Sequence, residues 1–235
     1  MTYSLAWSKL KIMKTNVLAV LAFIFLILYL PVRVEHKETI IVREVPQRNH
    51  YEVALRTGRQ IIVPNMRMEG GFSLCSATMV DVHAITTARH CFDKWNPTVG
   101  QVIIINGQPA TVQALVLGEE NRDQVAIRLN TTFTQWALVA LDRPAIGERV
   151  FLLGNPGGNA DFFREGYVSK LDGRWNRLDM NVTHGDSGSG VFNSQGRLIG
   201  SMQMVADEPL DHAAAFMGFK FDPAKLREAG ITLHY

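Results

Sequence analysis

The hydrophobic pattern divides the chain into two unlike parts. From Thr15 to Val32 no residue carries a charge, and Val17–Leu30 is apolar throughout. Eighteen helical residues at ~1.5 Å each cover about 27 Å, close to the ~30 Å hydrocarbon core of a bilayer. A helix apolar on every side must be surrounded by protein or lipid, and residues 15–33 are expected to form a transmembrane helix rather than a core element. Lys14 and Arg33 bound the run and can reach the head groups. Lys9, Lys11 and Lys14 precede it, whereas Arg33 and Lys37 beyond it are offset by Glu35 and Glu38. That asymmetry places residues 1–14 in the cytoplasm and the rest of the chain on the periplasmic, extracellular or lumenal side. The exit sequence LYLPVRVEH has no small-x-small cleavage pattern, which favours an uncleaved signal anchor. Residues 34–54 are charged, contain Pro46 and read as a tether.

Beyond residue 55 the pattern changes to short apolar runs separated by turn signals. The runs are 60–63, 72–80, 83–87, 101–105, 111–117, 125–129, 150–153, 167–171, 190–192, 198–205 and 213–219, many of them rich in Val, Ile, Phe and Thr. Asn106-Gly107, Asn155-Pro156-Gly157-Gly158, Asp172-Gly173 and Asn193–Gly196 punctuate them. Many short strands with regular turns predict an all-β sandwich or barrel. One helix is signalled at 222–230, with Asp222 as N-cap, Pro223 at the first helical position and Gly230 to close it. Residues 131–147 lack clear alternation and are expected to connect two β-barrels.

Composition narrows the function classes. Lys plus Arg is 24 against 22 Asp plus Glu, a net charge of +2. That balance, with no basic stripe carrying interleaved aromatics, argues against nucleic acid as a partner. Two cysteines, Cys75 and Cys91, are too few for a disulfide-stapled small fold or an all-cysteine zinc site. They leave one bridge or two thiols open. There is no HExxH, no Cys/His ligand cluster along the chain and no phosphate-binding glycine loop.

Three short blocks carry chemistry. In Gly185-Asp186-Ser187-Gly188-Ser189-Gly190, glycine at 185 lets the chain turn so that the Gly185 and Ser187 N–H groups aim at one spot, and Gly188 leaves space beside the serine. A serine hydroxyl needs a base to become a nucleophile, and the oxyanion it generates needs preorganised donors. Read alone, the block could also be a surface turn. In Thr86-Thr87-Ala88-Arg89-His90-Cys91, His90 stands where an apolar run ends. His83, on the run itself, is a competitor read as a packing or surface residue. In Asp123-Gln124-Val125-Ala126-Ile127-Arg128-Leu129 an acid opens an apolar run, and a carboxylate there can fix a histidine tautomer. Asp93, Glu119 and Glu120 are the weaker candidates for that role.

His90, Asp123 and Ser187, in that order and separated by 33 and 64 residues, resemble the signature blocks of trypsin-like serine peptidases over roughly residues 55–222. The resemblance implies two six-stranded antiparallel barrels, the first over about 55–135 and the second over about 145–221, with the site in the cleft between them. It implies a serine endopeptidase acting on protein or peptide substrates through a Ser187–His90–Asp123 triad and an acyl-enzyme, with no metal and no cofactor. The alternative is an idle barrel that only binds proteins at the membrane. The resemblance also implies a bridge between Cys75 and Cys91 beside the base, which the loop-entropy model values at about 3 kcal/mol. It places the substrate pocket near Asn181, Thr183, His184, Gln203 and Val205. Asn181 stands where an acid would select Arg or Lys, so an apolar pocket without trypsin-like preference is expected. Gln124 and Gly190 depart from the family, which often has an aliphatic residue and proline there. No cleavage site is evident that would free a new N-terminus to pair with Asp186, which implies a site formed without a zymogen switch.

Overall fold

The turn-bounded runs form two rings, the first six strands one and the next six the other. A computed structural model of the chain describes residues 50–64, 71–92, 96–120, 122–172, 175–205, 213–217 and 219–235. The expected membrane segment and most of the tether lie outside the described residues. No helix among the described residues is long and apolar enough to cross a membrane.

The first ring contains β1 (Gly58–Pro64), β2 (Phe72–Asp81), β3 (Ala84–Thr87), β4 (Val102–Ile105), β5 (Gln108–Leu117) and β6 (Val125–Leu129). It closes in the order β1-β2-β3-β6-β5-β4, all neighbours antiparallel. Asn106 and Gly107 take φ values of 45° and 79° between the paired Ile105 and Gln108. Two consecutive positive φ angles are what a tight two-residue hairpin requires, which is why Asn-Gly stands there. The second ring contains β7 (Arg149–Gly154), β8 (Phe162–Asp172), β9 (Trp175–Asp179), β10 (Gly190–Asn193), β11 (Leu198–Val205) and β12 (Ala213–Met217), closing as β10-β11-β12-β9-β8-β7. Residues between β6 and β7 form the connection expected there, with one isolated bridge, Val139 to Leu198.

Each ring buries its inward residues. Ile61, Met79, Ile85, Ile103 and Ile127 fill the first, and Val150, Leu152, Leu178 and Val191 the second. A third apolar cluster joins the rings through Val80, Phe151, Leu153, Phe192 and Leu198. Full burial of each such large side chain is worth about 1.5–3 kcal/mol. The inter-barrel cluster therefore helps hold the two halves, and the cleft between them, in place.

Two elements differ from expectation. A helix, α1 (His50–Thr57), lies partly in the segment read as tether. Ala54 on it is fully buried in the inter-barrel cluster, and Tyr51 meets Phe163 edge-on with ring centroids 5.8 Å apart. Strand β9 was not anticipated, because WNRLD has no β-branched residue; its pairing with both β8 and β12 holds it extended.

The C-terminal helix, α2 (Pro223–Glu228), is capped as expected: Asp222 Oδ1 accepts the Ala224 N–H at 2.8 Å, and Gly230 takes φ +64°. The chain beyond it straps onto the first ring. Thr232 N–H donates to Asp81 Oδ2 at 2.8 Å, Val82 N–H to Asp81 Oδ1 at 2.7 Å, and His234 Nε2 lies 3.3 Å from Asp81 Oδ1. Burial alone would raise the Asp81 pKa, but the two backbone donors and His234 outweigh it and hold the carboxyl below its usual range. A depressed carboxyl pKa stabilises the fold above the unfolded value, near 3.9, and that stability is lost as pH falls through the folded value. Asp81→Asn is therefore expected to lower the urea midpoint at pH 7, with the gap to wild type closing only below about pH 4. Urea melts at both pH values check it, and a gap that is constant with pH would contradict it.

Candidate active site

Strand pairing brings the three chemical blocks together. Strand β3 ends at Thr87, opposite Val125 of β6, so the 3-10 turn Arg89–Cys91 and the start of β6 share one end of the first ring. Asp123 is 3% exposed. Its Oδ1 accepts the His90 backbone N–H at 2.9 Å, and its Oδ2 lies 2.6 Å from His90 Nδ1. A carboxylate facing Nδ1 assigns the ring proton to that nitrogen and leaves Nε2 as an acceptor. Ser187 Oγ stands 2.8 Å from Nε2. His83, the competing histidine, is engaged elsewhere, with Nδ1 2.7 Å from the Thr131 carbonyl. Among the weaker acids, Glu120 pairs with Lys220 at 2.9 Å, and Asp93 lies outside the described residues.

The loop that carries Ser187 belongs to the second ring but is held by the first. Gly185 has φ +101°, and a Cβ there would sit 2.1 Å from the Asn155 carbonyl oxygen. Gly188 has φ +86°, and a Cβ would sit 2.1 Å from the Ser76 carbonyl oxygen. Neither position tolerates a side chain. Ser76, on β2, donates its Oγ to the Gly185 carbonyl at 2.8 Å and its N–H to the Ser187 carbonyl at 2.7 Å. Asn155 Nδ2 donates to Ser76 Oγ at 2.6 Å, and the His184 carbonyl accepts the Gly157 N–H at 2.8 Å. These contacts turn the carbonyls of the loop away from the cleft. Among the described residues, the N–H groups of Gly185 and Ser187 have no internal acceptor. Ser76 escaped the sequence reading; its one signal was a small polar residue in an otherwise buried strand beside Cys75.

Asp186, beside Ser187, is paired within the second ring. It is 1% exposed, and its Oδ2 accepts Arg164 Nη1 from β8 and the Thr183 N–H, both at 2.8 Å. The Arg164 side chain is itself only 19% exposed. Arg164 thus supplies, from within the second ring, the cation that faces this buried carboxylate.

The two family departures have local causes. Gln124 is buried, and its Nε2 donates to Ser201 Oγ at 3.0 Å, an oxygen that also accepts Gln203 Nε2 at 2.7 Å. A polar residue fits at 124 because the second ring presents Ser201 to it. At Gly190 a Cβ would meet Thr78 Oγ1 at 2.4 Å, so a larger residue is excluded by close packing against β2.

Cys75 and Cys91 are disulfide-bonded, tying β2 to the turn that carries His90. A cavity of about 320 Å³ opens beside Ser187, lined among others by Leu74, Cys75, His90, Cys91 and His184. Of the expected pocket residues, His184 reaches this cavity. Asn181 and Thr183 are exposed on the loop before it, and Gln203 is buried against Ser201. Val205 pairs through its backbone with Ala213, and its side chain lies outside the description.

A family model described as a trypsin-like peptidase domain matches residues 75–200. Among solved structures, the chain resembles the active form of the Rv3671c protease from M. tuberculosis, with 14% identity and a TM-score of 0.64 over 80% of this chain and 86% of that one. It also resembles an inactive form of the same protein carrying a serine-to-alanine mutation, with 12% identity and a TM-score of 0.58 over 77% and 88%. At such identities the likeness is one of fold. No curated protein matches the chain by sequence.

The Asp186–Arg164 pair yields a stability test. Arg164→Met strands a buried carboxylate and is expected to reduce unfolding free energy by about 3 kcal/mol. Adding Asp186→Asn should return part of that loss, because the stranded charge is removed. Urea melts of the single and double variants decide it, and an unaltered midpoint in Arg164→Met would show that the pair does not hold the loop.

Proposed function

The chain belongs to the trypsin-like peptidase family, and on that premise we propose that it is a serine endopeptidase tethered to a membrane. The observation that carries the mechanism is the unbroken run of contacts from Asp123 through His90 to Ser187, 2.6 Å at one end of the imidazole and 2.8 Å at the other. As Ser187 Oγ attacks a peptide carbonyl, His90 Nε2 takes the hydroxyl proton. The imidazolium that forms is stabilised by Asp123, which stays ionised. The carbonyl oxygen becomes an oxyanion, and the N–H groups of Gly185 and Ser187, held without internal partners, are its donors. His90 then returns the proton to the leaving amine, the C–N bond breaks, and an acyl-enzyme on Ser187 remains. Water, deprotonated by His90, attacks the ester and releases the second product. No step calls on a metal or cofactor. Gln203 contributes its main-chain carbonyl, 3.5 Å from Ser187 Oγ, to the floor of the site.

The expected anchor at residues 15–33 and the positive charges before it support a peptidase domain on the side of the membrane away from the cytoplasm.

Two experiments test this reading. A fluorophosphonate probe should label the wild type and leave Ser187→Ala unlabelled, and kcat/KM on a protein substrate should fall by about 10⁴-fold or more in the variant. An unlabelled wild type would sink the enzyme reading. On fractionation the protein should stay with membranes until detergent is added, and soluble material starting beyond Pro31 would refute the tether.

A further inference from the structure

The bridge beside the base holds a second chemistry. Cys75, His90 and Cys91 each offer a metal-ligating atom, and the three atoms lie within 4.8 Å of one another. Chain order hides the cluster, because Cys75 comes from β2 while the other two sit in the turn after β3. In the oxidised chain the sulfurs are spent on each other. The cysteines are only 3% and 1% exposed, yet both line the cavity that opens at Ser187, which provides a path for a small reductant and a small ion.

We propose that reduction of the Cys75–Cys91 bridge converts this corner of the cleft into a zinc site, with both sulfurs and one ring nitrogen of His90 as ligands, and that zinc bound there silences the peptidase. The inference rests on the peptidase reading and adds a control to the same site. A dithiol reductant gives two hydrogens to the bridge and leaves as its own cyclic disulfide, and the chain gains two thiols. Zinc then displaces both thiol protons and takes up two thiolates and one neutral imidazole. Two cysteines and a histidine, with a fourth position open to water, are an established donor set for zinc. Soft sulfur ligands disfavour magnesium and calcium. Around tetrahedral zinc the two sulfurs stand roughly 3.8 Å apart and sulfur and nitrogen roughly 3.5 Å, so opening the bridge must let the sulfurs separate while the ring nitrogen, within 4.8 Å of them, draws closer.

Silencing follows from which lone pairs His90 has. If zinc takes Nε2, the ring cannot accept the Ser187 proton. If it takes Nδ1, the contact with Asp123 is lost and with it the tautomer that aims Nε2 at Ser187. The reduced, zinc-loaded chain would thus be inert; a disulfide oxidant that takes two electrons from the thiolates and is itself reduced to a dithiol would re-form the bridge, release the zinc ion and free the base.

The test uses the full chain in detergent as Ser187→Ala, which cannot digest itself, reduced with a phosphine and titrated with cobalt(II) as a spectroscopic substitute for zinc. One cobalt per reduced chain should give thiolate-to-metal charge-transfer absorption. The oxidised chain and reduced Cys75→Ser should lack the two-thiolate spectrum, and His90→Ala should weaken binding at least as much as the roughly 10–100-fold that losing a supporting partner costs. In reduced wild type, equimolar zinc should stop peptide turnover and a chelator should restore it, while the oxidised enzyme is unaffected. No thiolate absorption in the reduced chain, binding indifferent to His90→Ala, or loss of near-ultraviolet circular dichroism on reduction would each overturn the proposal. If wild type turns over no peptide in either redox state, the peptidase reading fails, and the cobalt titration still decides the site.

Discussion

Asp123 is an ionisable group with almost no access to water, and both donors seen on its carboxylate belong to one residue, the backbone and the ring of His90. Burying a carboxylate costs several kcal/mol unless strong hydrogen bonds offset it. Charge-assisted bonds to nitrogen are the strong kind, and here they are short. The need of the acid for partners is thus what orients the imidazole. Rotating the ring or changing its tautomer would leave the buried charge half-satisfied, so the geometry facing Ser187 is set by solvation at the far side of the histidine. The Cys75–Cys91 bridge and the β3–β6 register act in the same direction by fixing the backbone on which the ring is mounted.

Ser187 is placed by a different device. Its loop belongs to the second ring, but two of its carbonyls are fastened to Ser76 of the first. Asn155 orients the Ser76 hydroxyl, and Arg164 neutralises Asp186 between Gly185 and Ser187. These contacts bind two carbonyls and a charge in the loop, and they leave the Gly185 and Ser187 N–H groups, the candidate oxyanion donors, without an internal acceptor among the described residues. The inter-barrel apolar cluster makes this possible, because the first ring can hold a loop of the second only if the rings cannot slide.

How much of this was readable depended on the range of the signal. His90, Asp123 and Ser187 each sit inside a block whose neighbours announce it, as do the Asn106-Gly107 turn and the Asp222-Pro223 helix start. The membrane segment is equally local in its signal but falls outside the described residues. Helix α1 was masked by the charged stretch before it, and what stabilises it is Ala54 against β7 residues about a hundred positions away. Strand β9 is extended because its two neighbours are. Arg164 and Ser76 are single unremarked residues, Arg164 paired 22 residues on with Asp186 and Ser76 with partners 79 and 109 residues away, and Gln124 looks like a stray polar residue until Ser201 appears opposite it. Range likewise hid the Cys75, His90 and Cys91 cluster: a bridge beside His90 could be expected from resemblance, but three ligating atoms converging could not.

The strap at Asp81 bears on how the molecule comes into being. This acid sits early, on β2, yet two of its three partners are Thr232 and His234, separated from it by 151 and 153 residues. Contacts so remote in sequence form late, because the loop between them must be closed first. A chain made from its N-terminus therefore holds Asp81 by its Val82 contact alone until residues 232–234 have been made and packed. The strap therefore joins the fold's early and late parts, and the outer face of β2 keeps its full set of partners only when the segment after α2 is seated on it.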